Sequence, residues 1–579
     1  MAVLFHFHVA PAGDDSWPGS AERPFATLER ARAAAGQVGG EAVVLLRGGT
    51  HVLARPFELT GADSGTVYRA YGYGTPEQEE AVVSGGRVIT GWQVSGGVWR
   101  AEVGDLDTRQ LYADGRRVPR ASVPGLPGEA VATGTGYVTD SAEPRAWRGA
   151  EFVYRGVYPW TEARLSMAEA SADGDSTVIT MAQPGFGLAA ELYNSTWEGV
   201  TSAGPGLPTR IENDPAFLRE PGTFVLDRSR PGAHVLLYLP LPGEDPGRTR
   251  VVAPVLETLM SVAGARGVAF EGLVFADATW LRPGRPEGFP HYHGSGFYEG
   301  GGVETAHLGE GASVTYPSAS VTIPACVTFE DTADVRIEGC RFTRLGASGL
   351  GVTGGDGLTV RGCSFDTLSA GGVVVSGSRG TAIVDNLVRE VGLEYSGSPG
   401  IAVTGTRGCV IEHNEITRVP HCGIVAGPGE GTRILRNLTV STMEVLADGG
   451  GVYLSGPQGE SAAGGAVVLG NVIEDTRTPY NFGLYADYGA SWVRLEENVV
   501  VRADNTAVLH VAPPLENVVF RGNIWDADPV GHENPPEGVT YEGNVTIKDE
   551  GRLNAATKAI RSRAGRRSTA EGVRPSVGD

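Results

Sequence analysis

Between Phe329 and Val545 the hydrophobic positions fall into a repeated phrase. A few β-branched residues lead to a Cys or Asn, usually through a Gly or a charged residue, and more apolar residues follow. The copies read RIEGCRF, TVRGCSF, AIVDNLV, VIEHNEI, RILRNLT, VVLGNVI, RLEENVV, VFRGNIW and TYEGNVT. Their fifth positions are Cys340, Cys363, Asn386, Asn414, Asn437, Asn471, Asn498, Asn523 and Asn544, at steps of 23, 23, 28, 23, 34, 27, 25 and 21 residues. Short β-branched strands at such a period, with variable insertions, predict an all-β chain folded as a right-handed parallel β-helix. One coil cannot close a core by itself. Coils stacked about 4.8 Å apart pair each strand with its neighbours and bury one continuous apolar column.

The Asn column has its own prediction. Stacked Asn side chains at a turn can bond the backbone of their own coil and the Asn above and below, which satisfies buried polar groups that would otherwise each cost roughly 1–3 kcal/mol. Cys at the first two rungs is a small apolar substitute.

The pattern also divides the chain. Residues 1–85 read as a cap and the first coils: FHFHVAP alternates as a strand, PFATLERARAAAG (24–36) reads as a short helix stopped by Gly36, and AVVLLRGGTHVL (42–53) and TVYRAYG (66–72) read as strands. An amphipathic helix covers an apolar layer that the end of a solenoid would leave in water. In residues 86–250 the rhythm breaks into short strands between Gly/Pro turns, a β-rich insertion packed against the helix. The main β-helix spans 251–547. Within it, the segment 276–321 is too long for one turn and carries Trp280, His291, Tyr292, His293, Phe297 and Tyr298; long solenoid loops often shape a site. Residues 548–579 read as a C-terminal capping helix (552–565) and a disordered tail.

A second alignment, on the strand before each Asn rung, locates candidate chemistry. GLGVT, GVVVS, GIAVT, GIVAG, GVYLS, GLYAD and AVLHV share an apolar second position, which must face inward; alternation then sends the third and fifth positions outward. One outer face thereby gathers His421, Tyr453, Asn481, Tyr485 and Asp487 on successive coils, with Asp448 just before Gly449, Gly450 and Gly451. Trp280 joins them as a candidate from the long segment. Aromatic rings stack on sugar C–H faces, and carboxylates bind hydroxyls or move protons. Two carboxylates are what glycoside hydrolysis needs, one as acid and one as nucleophile or base. Asp448 and Asp487 are the pair. Along straight strands they stand seven positions apart, roughly 23 Å, and meet only if the chain turns sharply at the glycines. Glu444, Asp475 and Asp504 are rivals. In this register His510 falls in an inward column unless the register slips. The competing readings are plain: Asp448 as a turn residue, the tyrosines as sheet cover, His421 as a structural hydrogen bonder.

Composition narrows the partners. The chain has 579 residues with 85 Gly, and its net charge of −21 argues against a nucleic-acid surface. No run of 18 apolar residues is present to span a membrane. Cys326, Cys340, Cys363, Cys409 and Cys422 are too sparse for a disulfide framework and read as reduced buried thiols. His291 and His293 lack a matching Cys or carboxylate pattern, so neither a metal nor another cofactor is expected. MAVLFHFHVAPAGDD shows no basic start or cleavage site, which predicts a cytoplasmic protein, or a secreted one whose export signal has been removed.

ENDPAFLREPGTFVLDRSRPGAHVLLYLPLPG (212–243), VVAPVLETLMSVAGARGVAFEGLVF (251–275), ADGGGVYLSG (447–456) and NFGLYADYGASWVRLEENVV (481–500) together resemble β-helix glycosidases, nearest glycoside hydrolase family 141, with its α-L-fucosidase and xylanase members. The resemblance implies that Asp448 and Asp487 are catalytic and that His421, Tyr453 and Tyr485 touch an oligosaccharide or glycosylated small molecule. It also brings His510 to the site through VLHVAPPLENVVFRGNI (508–524). A polysaccharide lyase or uronate epimerase would need a cation or Arg to neutralise a carboxylate, and the outer face carries acids instead. A non-catalytic glycan-binding β-helix is the third reading.

Overall fold

A computed structural model describes residues 4–38, 41–309 and 311–567. The expected disordered end of the tail lies outside these. The chain is a right-handed parallel β-helix whose strands form three ladders, carried in a 22-stranded and a 12-stranded sheet. The first ladder runs through Met260–Ala263, Ala325–Glu330, Ser348–Thr353, Val373–Ser376, Ile401–Thr404, Ile424–Ala426, Gly450–Pro457, the start of Phe482–Glu496, and Asn505–Ala507. The second carries the β-branched half of each repeated phrase, and the third begins after the Asn rung.

The Asn column forms as expected. Each Nδ2 donates to the Oδ1 of the next rung, from Asn386 to Asn414 (2.9 Å) through Asn523 to Asn544 (2.8 Å). Each also donates to a carbonyl of the coil before it, as Asn437 does to Ile411 at 2.9 Å. At the head of the column Asn386 Oδ1 accepts from the Cys363 amide. Inside the solenoid the apolar residues stack at coil spacing; Phe275, Phe342 and Phe365 lie with centroids 5.2 and 4.6 Å apart. All five cysteines are buried and free.

The N-terminal helix covers the first coils, with Leu28, Ala31, Ala34 and Ala35 buried. It spans Leu28–Ala35 and starts later than Pro24, because Thr27 accepts from the Arg30 amide as its N-cap while Phe25 is held in a bridge to Val9. The C-terminal helix, Glu550–Arg561, corrects the capping expectation. It lies along the flank of the third ladder, where Leu553 covers Val472, Val499 and Val501. The outward faces of those strands are apolar there and need a cover.

The insertion folds as antiparallel sheets between Gly86 and Pro254. Part of the segment 276–321 belongs with it: the hairpin Val303–Gly309/Ala312–Pro317 pairs with Asn194–Trp197. This body sits over the first ladder and leaves a cleft between them. No helix among the described residues is long and apolar enough to cross a membrane.

Candidate active site

The cleft has a volume of about 960 Å³, and Asp448, Asp487, Tyr453 and Tyr485 line it from the solenoid side. Strand pairing sets Tyr453 beside Tyr485 and Ser455 beside Asp487 on adjacent coils. Asp448 reaches the same place because its own backbone turns, with φ 58°. Its amide donates to the Tyr480 carbonyl at 2.8 Å. The bend is thus at the aspartate and not at the glycines. Those are needed for close packing: a Cβ on Gly449 would lie 2.7 Å from Cys422 Sγ, and one on Gly450 would lie 3.0 Å from the Phe482 carbonyl.

Two crossed hydrogen bonds tie the acids to the tyrosines. Tyr453 Oη donates to Asp487 Oδ2 at 2.8 Å, and Tyr485 Oη donates to Asp448 Oδ1 at 2.7 Å. The rings meet edge to face at 5.0 Å. Burial pushes the Asp448 carboxyl up to about 7, against the Tyr485 hydrogen bond and with the help of the nearby Asp487 charge. Burial raises Asp487 as well, opposed by the Tyr453 hydroxyl, the Tyr488 backbone N–H and the Tyr485 hydroxyl. A carboxyl raised this far can take up and release a proton near neutrality. Asp487, holding more donors, is the better place for charge.

His421 and Asn481 are fully buried and do not line the cleft. His421 Nε2 donates to the Ala447 carbonyl at 3.1 Å, while the Ala447 amide donates to the Pro159 carbonyl at 3.1 Å. The loop carrying Asp448 is thus pinned from the solenoid and from the insertion. Asn481 Nδ2 reaches Thr478 Oγ1 at 3.5 Å. Both residues lie behind the cleft lining, whereas the strand alternation places them on the outer face. Trp280 is also corrected: it is a core residue packed on Phe289, Phe297 and Tyr395, because its segment turns inward before the hairpin begins.

His510 does line the cleft, and the register explains why. Leu484 pairs with Ala507, one residue earlier than the strand alignment assumes. A one-residue slip exchanges the faces, so Leu509 enters the core and His510 faces out. The rival acids are elsewhere. Asp475 pairs with Arg502 at 2.6 Å, Asp504 accepts from the Tyr480 amide at 2.6 Å, and Glu444 is exposed outside the cleft.

The structure adds residues that the repeats do not reveal. Tyr292 and His293 enter from the long segment, Tyr316 from the hairpin, and Trp160 and Trp197 from the insertion. The His293 ring lies 5.1 Å from that of Tyr453, and burial holds it neutral, down to about 3, with His421 and His291 adding to the effect. His291 is occupied by backbone: one ring nitrogen donates to the Gly294 carbonyl at 2.9 Å and the other accepts from the Glu162 amide at 3.2 Å. The concentration of aromatic and His residues in 276–321 is the signal in the sequence that points to Tyr292, His293 and Tyr316; none points to Trp160 or Trp197.

A family profile described as "Right handed beta helix region" matches residues 320–456. No curated protein matches the sequence. Among solved structures the fold is similar to that of a glycoside hydrolase at 23% identity, covering 97% of this chain and 99% of that one with a TM-score of 0.75. It is also similar to the complex of XylC with xylose, at 13% identity, covering 93% and 86% with a TM-score of 0.52. These likenesses are of fold.

Proposed function

We propose that the chain is a glycoside hydrolase of the family 141 type, acting on a carbohydrate through Asp448 and Asp487. The observation that carries this is the acid pair itself: two carboxylates on adjacent coils, each held by a different tyrosine, at the floor of a cleft large enough for a substrate. Asp448, protonated up to about pH 7, is the general acid on the glycosidic oxygen. Asp487, whose rise on burial is opposed by Tyr453 and the Tyr488 N–H, acts in its ionised form, attacking the anomeric carbon or activating water. Tyr453 and Tyr485 orient the acids, and Tyr292, His293 and His510 contact the sugar. Two further supports are the fold shared with a named glycoside hydrolase and with a protein solved with xylose, and the likeness of both acidic motifs to the family's. Lyase and epimerase chemistry is disfavoured because no Arg or Lys lines the cleft among the described residues.

The test is mass spectrometry of products from a panel of glycans and aryl glycosides, with wild type, Asp448→Asn and Asp487→Asn. Products that gain water, and that vanish in both variants, support the hydrolase. Unsaturated products, or turnover that survives both substitutions, overturn it.

A further inference from the structure

The two sides of the cleft differ in chemistry. The solenoid side offers the acids, Asn505 and His510, with His293 beside them, among apolar Phe482, Val508 and Val511; among the described residues only this side lines the cleft with carboxylates. The opposite side is one face of a four-stranded sheet made by Asn194–Trp197, Val200–Ala203, Val303–Gly309 and Ala312–Pro317. Its register pairs Ala306 with Val314 and Glu304 with Tyr316, so alternation brings Ala306, Ala312, Val314 and Tyr316 to one face, while Leu308 stands at a bulge between His307 and Gly309. Ser195 pairs with Val314, which places Trp197 on that face as well. Leu308 and these four line the cleft with Trp197; Val314 is buried in the core of the insertion, whereas Trp197 remains 38% exposed, open to a ligand.

Ala, Leu and Val side chains offer no hydrogen bond, and the Tyr316 hydroxyl already donates to Glu304 at 2.7 Å. A sugar residue pressed against them would lose water from its hydroxyls without replacement, roughly 1–3 kcal/mol for each group left unpaired. An apolar group there gains about 25 cal/mol for each Å² it removes from water. At about 960 Å³ the cleft also matches the volume that encloses one small molecule.

From this wall we infer that the substrate is a glycoside of an apolar alcohol, aryl or alicyclic, whose aglycone lies on the sheet face formed by Trp197, Ala306 and Leu308. The inference rests on the hydrolase reading and names the leaving group for it. The glycosidic C–O bond breaks, Asp448 gives its proton to the aglycone oxygen to form the free alcohol, water supplies the hydroxyl at the anomeric carbon, and the remaining proton of that water restores the carboxyl pair to its starting protonation. The free alcohol is then the product that must leave the apolar side.

The test uses 2-naphthol as the probe, titrated calorimetrically into the full chain. It is joined by kcat/KM for 2-naphthyl and methyl glycosides across a series of monosaccharides. Saturable naphthol binding is expected in wild type, weakened about tenfold by Leu308→Asn and by Trp197→Ala, the scale of one lost apolar contact. For a sugar that is turned over, both variants lose about as much on the naphthyl glycoside and little on the methyl glycoside. Two sites are substituted so that a folding defect in one does not decide the matter. Hydrolysis of glycosides without saturable naphthol binding, or with binding that both variants leave unchanged, overturns the aglycone assignment alone. Naphthol binding without turnover of any glycoside overturns the hydrolase reading, and the aglycone assignment with it.

Discussion

At the scale of single residues, the site rests on two aspartates that burial treats alike and hydrogen bonds treat differently. Asp448 has one hydroxyl donor and titrates near 7; Asp487 has a hydroxyl, a backbone N–H and help from Tyr485. Activity should therefore fall as pH rises through about 7, where Asp448 gives up its proton. Tyr485→Phe removes a bond that favours the charged form, so in that variant the alkaline limb should move to higher pH. A pH–rate profile of the two proteins checks the direction, and a limb that stays fixed or moves down refutes the assignment. The same shift bears on stability. A carboxyl raised in the folded state confers most below its unfolded value and loses that contribution as pH rises through the folded one. Asp448→Asn, which cannot ionise, should gain thermal stability over wild type between about pH 4 and 7 and hold a constant lead above that; calorimetric midpoints across that range measure it. Both acids were visible in the sequence because each flanks a Gly-hydrophobic-Tyr strand. Their nearness was not, since a residue count along strands cannot register a left-handed turn at Asp448.

At the scale of elements, the repeat was readable because stacking makes the same demand at every rung. An Asn can meet that demand only when another Asn lies above or below it. Asn437 shows the dependence: its Oδ1 accepts from the Asn414 amide and side chain, and its Nδ2 serves Asn471 and the Ile411 carbonyl. Asn437→Ala leaves several buried groups unpaired and should cost at least the roughly 1–3 kcal/mol of one such group. Asn544→Ala, at the partly exposed final rung, should cost less, because water can replace its partners. Denaturant midpoints of the two variants compare them, and equal losses would mean that the column does not work as a chain. The strand Asn505–Ala507 marks where reading by repeat fails. The phrase AVLHV fits the alignment by composition, but Phe482 and Leu484 pair with Asn505 and Ala507. Hydrophobicity alone cannot tell a Val508 on the outer face from one in the core when Leu509 beside it serves as well.

At the scale of the whole molecule, the cleft exists only because the insertion is fixed to the solenoid, and buried charges fix it. Glu394, on the solenoid, accepts from Arg109 Nη2 at 2.7 Å, Gln110 at 2.8 Å and Arg117 at 2.9 Å. Arg109 continues to Glu151 at 2.6 Å, and Arg164 donates to the Glu394 carbonyl at 2.6 Å while pairing with Glu162 and Glu212, both at 3.0 Å. None of this could be read from the sequence, because Arg109, Glu151 and Glu394 stand far apart in the chain and no repeat relates them. A buried pair is weak evidence for net stability, but removing one partner strands the other in low dielectric and costs about 3–5 kcal/mol. Glu394→Gln should therefore loosen the insertion from the first ladder while the Asn column stays intact. Hydrogen exchange would then rise in residues 86–254 and remain slow around Asn414 to Asn498. Activity should fall with it, since the Pro159 carbonyl that holds the Asp448 loop and the wall that faces it both belong to the insertion. Unchanged exchange in the insertion together with lost activity would place Glu394 in the chemistry and not in the architecture, against the geometry that keeps it outside the cleft.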